Sequence, residues 1–162
     1  IINGQKNTND NNTYSGGLEF NYEKEEQWEF SFSPGIAYND NKATISAYST
    51  SYWSSSSDAS VSVKLPSKFR INTDVDMMFR QKTKVLNGNN NVIKWNASVS
   101  RTFLKNDQLI LELSVYDILN QNLGFNRSAQ GSTVTQETYN TIRRYGLLNL
   151  AWNFSHKPGE TK

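Results

Sequence analysis

The chain has 162 residues, 17 basic and 15 acidic side chains, a net charge of +2 and no cysteine. This length suits one domain, the mixed charges give no basic patch for nucleic acid, and disulfide scaffolds, thiolate metal sites and cysteine catalysis are excluded. Mean hydropathy is only −0.69, yet 12% of residues are aromatic, which argues against disorder and suits strands with one face in water.

Residues 1–13 are read as a leading segment or turn. The first strand is expected over Tyr14–Tyr22, with Tyr14, Gly16, Leu18, Phe20 and Tyr22 on one face and Ser15, Gly17, Glu19 and Asn21 on the other. The second, Gln27–Tyr38, sets Trp28, Phe30, Phe32, Pro34 and Ile36 against Glu29, Ser31, Ser33 and Gly35. Pro34 cannot donate to a ladder and is expected to mark a bulge. Asn39-Asp40-Asn41 reads as a turn, Lys42–Tyr52 as a weakly alternating third strand, and Ser54–Ser57 as a serine-rich link. The fourth strand carries Ala59, Val61, Val63 and Leu65, and Pro66-Ser67 turns the chain into the fifth.

That fifth strand, Phe69–Arg80, alternates most cleanly. Phe69, Ile71, Thr73, Val75, Met77 and Phe79 point one way; Arg70, Asn72, Asp74, Asp76, Met78 and Arg80 point the other. Side chains on a strand alternate with period two, and this strand has twice the usual length of about five or six residues. A transmembrane strand needs about nine to eleven, apolar toward lipid and polar toward a lumen.

An Asn-rich loop at Asn87–Asn91 leads to the sixth strand, with Ile93, Trp95, Ala97, Val99 and Phe103 against Lys94, Asn96, Ser98, Ser100 and Thr102. Arg101 falls on the apolar face and is expected to snorkel to an interface. After the turn Lys105-Asn106-Asp107, the seventh strand places Leu109, Leu111, Leu113 and Val115 opposite Ile110, Glu112, Ser114 and Tyr116. A loop from Ile118 to about Thr141 precedes a last strand with Gly146, Leu148, Leu150, Trp152 and Phe154 on one face. The tail, Ser155–Lys162, is polar.

The expected fold is therefore all-β: an antiparallel transmembrane barrel segment of about eight long strands over residues 14–154. No run of residues approaches the ~18 apolar positions of a membrane helix. Connections alternate short and long through the C-terminal half, as they do between the two sides of an outer membrane. Glu19, Glu29, Lys64, Arg70, Asp74, Asp76, Arg80, Lys94 and Glu112 are candidates for the lumen; such a density of charge does not belong in a sandwich core. Phe69, Val75, Phe79, Trp95, Leu111, Leu150, Trp152 and Phe154 are candidates for the lipid face.

Catalytic chemistry is not legible. The single histidine, His156, lies in the tail, so no Ser-His-Asp arrangement is available within the strands. Asp74 and Asp76 share a face and could form a catalytic carboxylate pair or a cation site, but pairing with Arg70 and Arg80 on that face is the simpler expectation. There is no phosphate loop or zinc spacing, so no cofactor, metal or catalytic residue is assigned and no enzyme is expected.

Ser114-Val115-Tyr116-Asp117-Ile118-Leu119-Asn120-Gln121-Asn122, then Arg127, and finally Arg143-Arg144-Tyr145-Gly146-Leu147-Leu148-Asn149-Leu150-Ala151-Trp152-Asn153-Phe154 resemble the C-terminal end of TonB-dependent receptor-like outer-membrane barrels of the Bacteroidota type. Such barrels commonly end at the terminal aromatic, whereas eight residues follow Phe154 here. The resemblance implies a Gram-negative outer membrane and energy-coupled uptake of a nutrient such as a siderophore, glycan or peptide. It also implies the lipid bilayer, the remaining barrel and plug segments, TonB and a surface lipoprotein as partners. A start at Ile1, without initiator Met or signal peptide, is read as lying inside a longer protein. Within the motif, Asp117 and Asn120 are expected to satisfy backbone donors in a turn, with Ile118 and Leu119 packing over the barrel rim. Two alternatives remain at this point: a stand-alone eight-stranded outer-membrane barrel with a structural or adhesive role, and a soluble β-sandwich binding carbohydrate through Trp28, Tyr52, Trp53 or Trp95.

Overall fold

A computed structural model describes residues 4–45, 49–84, 91–104, 107–122, 124–130 and 133–154. Ten strands form in chain order: β1 (Asn9–Gly17), β2 (Phe20–Lys24), β3 (Trp28–Ala43), β4 (Thr50–Leu65), β5 (Phe69–Arg80), β6 (Val92–Phe103), β7 (Leu109–Tyr116), β8 (Phe125–Gln130), β9 (Thr133–Thr138) and β10 (Tyr145–Trp152). Eight of them make one antiparallel sheet in the order β1-β3-β4-β5-β6-β7-β10, with β2 also paired to β3. β8 and β9 form a separate hairpin inside the connection expected to be an unstructured loop. The polar tail beyond Phe154 lies outside the described residues, as do Asn87–Asn90 of the Asn-rich loop.

β1 and β2 are one continuous pass. Gly17 pairs with Gly35 and Phe20 with Phe32, so the register is the same on both sides of the interruption. The break lies opposite Pro34, whose carbonyl still accepts from the Leu18 amide at 3.0 Å. Proline has no N–H to return that bond. Pro34 therefore removes a rung and does not make the bulge expected of it; β3 continues through it in register with Ser57 of β4.

The largest departures from the sequence expectations lie between Asn39 and Ser57. Asn39, Asp40 and Asn41 are not a turn but part of β3, opposite Tyr52, Ser51 and Thr50. The strand expected at Lys42–Tyr52 is replaced by the end of β3, a connection at residues 44–49 and the start of β4. Ser54–Ser57 is not a link but lies within β4. Side-chain hydrogen bonds take over where hydrophobic alternation stops: Thr13 to Asn39 (3.2 Å), Asn39 to Ser54 (3.1 Å), Ser51 to Asp40 (2.7 Å) and Ser55 to the Gly35 carbonyl (2.8 Å). Pairing likewise begins at Asn9 rather than Tyr14, and the last strand stops at Trp152 rather than Phe154.

Connection lengths differ sharply between the two ends of the sheet. At one end residues 25–27, 66–68 and 104–108 turn the chain; at the other, residues 44–49, 81–91 and 117–144 do. The tight end uses paired residues at positive φ, Glu25 with Glu26 and Ser67 with Lys68, the left-handed geometry that close reversals require.

The sheet is a single layer without a core. Val63 is the one buried hydrophobic residue among those described, and the accessible surface is 12061 Å². A compact monomer of 18.5 kDa exposes about 8,200 Å² by the usual scaling. Exposed apolar side chains such as Tyr14, Trp28, Ile36, Leu148 and Leu150 contribute to the excess. A soluble sandwich would have covered it.

Candidate functional site

Register converts the alternation of each strand into two continuous faces. Phe69 pairs with Leu65 and Arg101, Arg101 with Leu111, and Leu111 with Leu150. Val75 lies between Ala59 and Trp95, with Phe32 and Phe20 beyond. Phe79 and Trp152 fall on the same side, so seven of the eight candidates for lipid share one belt face. Phe154 lies beyond β10 and is 84% exposed.

The belt has the dimensions of a membrane. From Phe69 to Phe79 is ten steps of ~3.4 Å, about 34 Å along the strand, or roughly 24–28 Å along the normal at a tilt of 35–45°, against an apolar band of about 25 Å in such barrels. On β3 the belt spans Trp28 to Tyr38, whereas on β6 it spans Phe103 to Ile93, two register rows nearer the tight turns at both ends. A level belt drawn across tilted strands drifts in this way.

Aromatics gather at both margins. Tyr14, Tyr38 and Trp53 lie in one row at the long-connection end, the last two with ring centroids 5.0 Å apart. Trp28, Phe69, Phe103 and Trp152 lie toward the turn end. All four tryptophans of the chain (28, 53, 95 and 152) are on this face.

Trp95 lies inside the belt, one row in from Ile93, where an indole N–H needs a protein acceptor. Its Nε1 donates to Thr73 Oγ1 at 2.7 Å, and that hydroxyl donates onward to the Asn96 carbonyl at 2.9 Å. Ser55 and Ser57, also on the belt face, are 3.4 Å apart. None of these three hydroxyls had a role in the sequence expectations; a polar residue inside an otherwise apolar alternation was the available signal.

The opposite face carries all nine lumen candidates. Arg70 stands opposite Lys64, and Asp76 stands between Asp58 and Lys94. Asp74 lies between Ser60 and Asn96, Glu112 is opposite Ser100 and Asn149, and Glu29 is opposite Glu23 and Ser62. Glu19 falls on the same parity and accepts from Asn21 at 2.7 Å. Arg80 sits over the Tyr52 ring at 5.8 Å.

The expected pairing of Asp74 and Asp76 with Arg70 and Arg80 needs correction. Residues four apart on one strand are about 13 Å apart, too far for such a bridge. Asp74 instead accepts from Asn96 Nδ2 at 2.7 Å, and Lys64 reaches Glu26 at 3.6 Å. Asp58 belongs to this charged face and was missed because it stands among serines; Ser54, Ser56, Ser60 and Ser62 keep its alternation.

Cavities among the described residues open mainly on the polar side. One of about 600 Å³ is lined by Gly17, Gly35, Ser54, Ser56 and Arg80. Another, of about 630 Å³, is lined by Lys64, Arg70, Ser100 and Glu112. Gly35 is needed for close strand approach, since a Cβ there would sit 2.8 Å from the Ser56 carbonyl oxygen. Among the described residues no group of three acidic or histidine side chains is placed to hold a metal.

The sheet's exit from β7 is tied by Asp117. This side chain is 5% exposed and its two oxygens accept from the Gln121 and Asn122 amides at 2.8 and 2.9 Å. Its own amide donates to Asn96 Oδ1 at 2.9 Å, and the Ile118 amide to the Trp95 carbonyl at 2.8 Å. Asp117 and Asn120 have φ of 50° and 57°, values Asp and Asn tolerate better than other side chains. Asn120 Oδ1 accepts from the Arg144 amide at 3.4 Å, joining the start of the connection to its end. Leu119 is exposed at 42% and does not pack over the rim as expected, whereas Ile118 is half-buried.

No curated protein and no solved structure matches the chain. A family model, the outer membrane protein beta-barrel family, matches residues 1–154, the whole span that carries the belt, the aromatic margins and the charged face. The chain belongs to that family and is a β-barrel protein of the Gram-negative outer membrane.

Proposed function

We propose that the chain forms part of the wall of a larger, TonB-dependent receptor-like barrel that takes up a nutrient. In this reading the belt face meets lipid, and the face of Glu19, Glu29, Lys64, Arg70, Asp74, Asp76, Arg80, Lys94 and Glu112 lines the lumen. The wall itself has no catalytic role.

Strand parity supports the larger barrel. Counting β1 with β2, the sheet makes seven passes, and its two edge strands run in the same direction. Direct closure would set them parallel, whereas bacterial outer-membrane barrels use an even number of antiparallel strands. An open edge is not tolerated in hydrocarbon, because its amides and carbonyls have no partner there. An odd number of further passes would remove both difficulties. Two copies related about the membrane normal would not, since each junction would again be parallel. The uptake role rests on the resemblance of Ser114–Asn122 and Arg143–Phe154 to receptor-like barrels, and a plug, TonB and a surface lipoprotein enter as partners on the same ground.

Cysteine pairs test the wall, because the chain has no cysteine of its own. Pairs placed along Tyr14–Tyr22 and Tyr145–Trp152 of the protein in its native membrane should not cross-link. Efficient disulfides between these edges would establish closure within the chain and favour the stand-alone barrel. Transport is tested separately: uptake of the nutrient lost in a deletion strain should stop when the proton gradient is dissipated. Uptake that persists without the gradient would leave a passive barrel.

A further inference from the structure

Charge on the belt face is confined to its margins. Asp10, Asp40 and Lys42 lie beyond the Tyr38–Trp53 row, and only Lys24 and Arg101 lie at the turn end. On the belt face of the described strands at this end, Lys24 and Arg101 stand without an acid, while Glu25, Glu26 and Asp107 lie in the turns beyond them.

Arg101 is held in a defined place there. Its guanidinium carbon is 4.8 Å from the centroid of Phe69 and 4.8 Å from that of Phe103. Phe69 is its register partner on β5, and Leu111 its partner on β7. Two ring faces attract and orient the cation, but they leave its five N–H donors without an acceptor. Lys42–Asp40, Lys64–Glu26 and Lys68–Asp107 are ion pairs, and none of them brings a carboxylate to Arg101. Trp152, 61% exposed, stands in the Phe103 row with its indole suited to the headgroup level.

We propose that this margin is a phospholipid site, in which Arg101 binds the phosphate diester of an anionic glycerophospholipid in the turn-end leaflet. The guanidinium fork matches phosphate bidentately, and the aromatic pair preorganises it at the depth where the phosphates lie. An anionic headgroup is preferred because it brings no ammonium to compete with Arg101. Lys24, beside Trp28 and four strands from Arg101, is a separate and weaker point of attraction at the same margin.

This inference rests on the belt face meeting lipid, and the test separates the two. The full-length protein is reconstituted into phosphatidylcholine nanodiscs, phosphatidylglycerol is titrated in, and retained lipid is counted by native mass spectrometry. The wild type should retain phosphatidylglycerol, R101Q should bind it about fivefold more weakly, as for loss of one interfacial base, and R101K should fall between. Inorganic phosphate at millimolar concentration should not compete; equal competition would make this a small-anion site and overturn the lipid assignment. Unchanged retention in R101Q would also overturn it. If R101Q does not fold, R101K against K24Q decides: the lipid site requires the larger loss in R101K, and equal or reversed losses contradict it. Quenching of the four tryptophans by brominated lipid is read in the same discs. Normal quenching with unchanged retention sinks the phosphate site alone, whereas absent quenching sinks the lipid-facing reading.

Discussion

β3 and β4 pair without interruption from Trp28–Val63 to Asn41–Thr50, yet they are two different structures below and above the Tyr38–Trp53 row. Below it, Trp28, Phe30, Phe32 and Ile36 alternate with Glu29, Ser31, Ser33 and Gly35, so the two faces differ in kind. Above it, Asn39, Asp40 and Asn41 meet Tyr52, Ser51 and Thr50, and both faces are polar. The backbone ladder does not change across that row; the surroundings do. On the proposed reading, alternation in this chain reports the bilayer rather than the strand. Where β3 and β4 extend into water, cross-strand hydrogen bonds such as Ser51 to Asp40 hold the pairing.

The sharpest way to break this contrast is to place the same charge on both sides of the row. Val75→Arg, in mid-belt between Ala59 and Trp95, should destabilise the protein by about 2–4 kcal/mol, whereas Ser51→Arg above the row should cost about 0–1 kcal/mol. Urea unfolding in lipid vesicles measures both, and equal costs would contradict a belt with an upper limit at Trp53.

Next in size is the knot at Asp117. Asp117→Ala removes an acceptor of two backbone amides and should cost about 2–3 kcal/mol. Asp117→Asn keeps one carbonyl oxygen and should cost less. Heat-modified mobility on gels reads the difference.

Thr73→Val, which leaves the Trp95 indole N–H without its acceptor, should cost about 1–2 kcal/mol with little change in emission wavelength. The same change at Thr50, beyond the row, should show a smaller loss in vesicle unfolding. Asp40→Asn, which weakens the pair with Lys42 but keeps an acceptor for Ser51, should have the smallest effect of the series, measured in the same way.

The same contrast explains what could be read from the chain in advance. β5 and β7 were legible to the residue, at Phe69–Arg80 and Leu109–Tyr116, because alternation fills them from end to end. Their faces were legible too, since parity fixes which side chains share a side even before the partners are known. Residues Asn39–Ser57 were misread because Asn, Asp and Ser commonly mark turns, and nothing local distinguishes a solvated ladder from a loop. The hairpin of β8 and β9 was missed for a related reason: it pairs apart from the main sheet, and its sequence does not alternate apolar with polar residues. Asp117 was legible as a turn former, but not its reach to Asn96 on a neighbouring strand. Arg101 broke its pattern in the sequence, and its place between Phe69 and Phe103 at the strand end explains why that was possible.

The central claim, that one face of this sheet meets lipid, is tested most directly by the depth of its tryptophans. Four single-tryptophan variants are reconstituted in bilayers carrying bromines at graded depths along the acyl chains. The account predicts quenching of all four, with Trp95 deepest and Trp53 near the interface opposite that of Trp28 and Trp152. A Trp95 quenched by aqueous iodide and untouched by brominated lipid would contradict it.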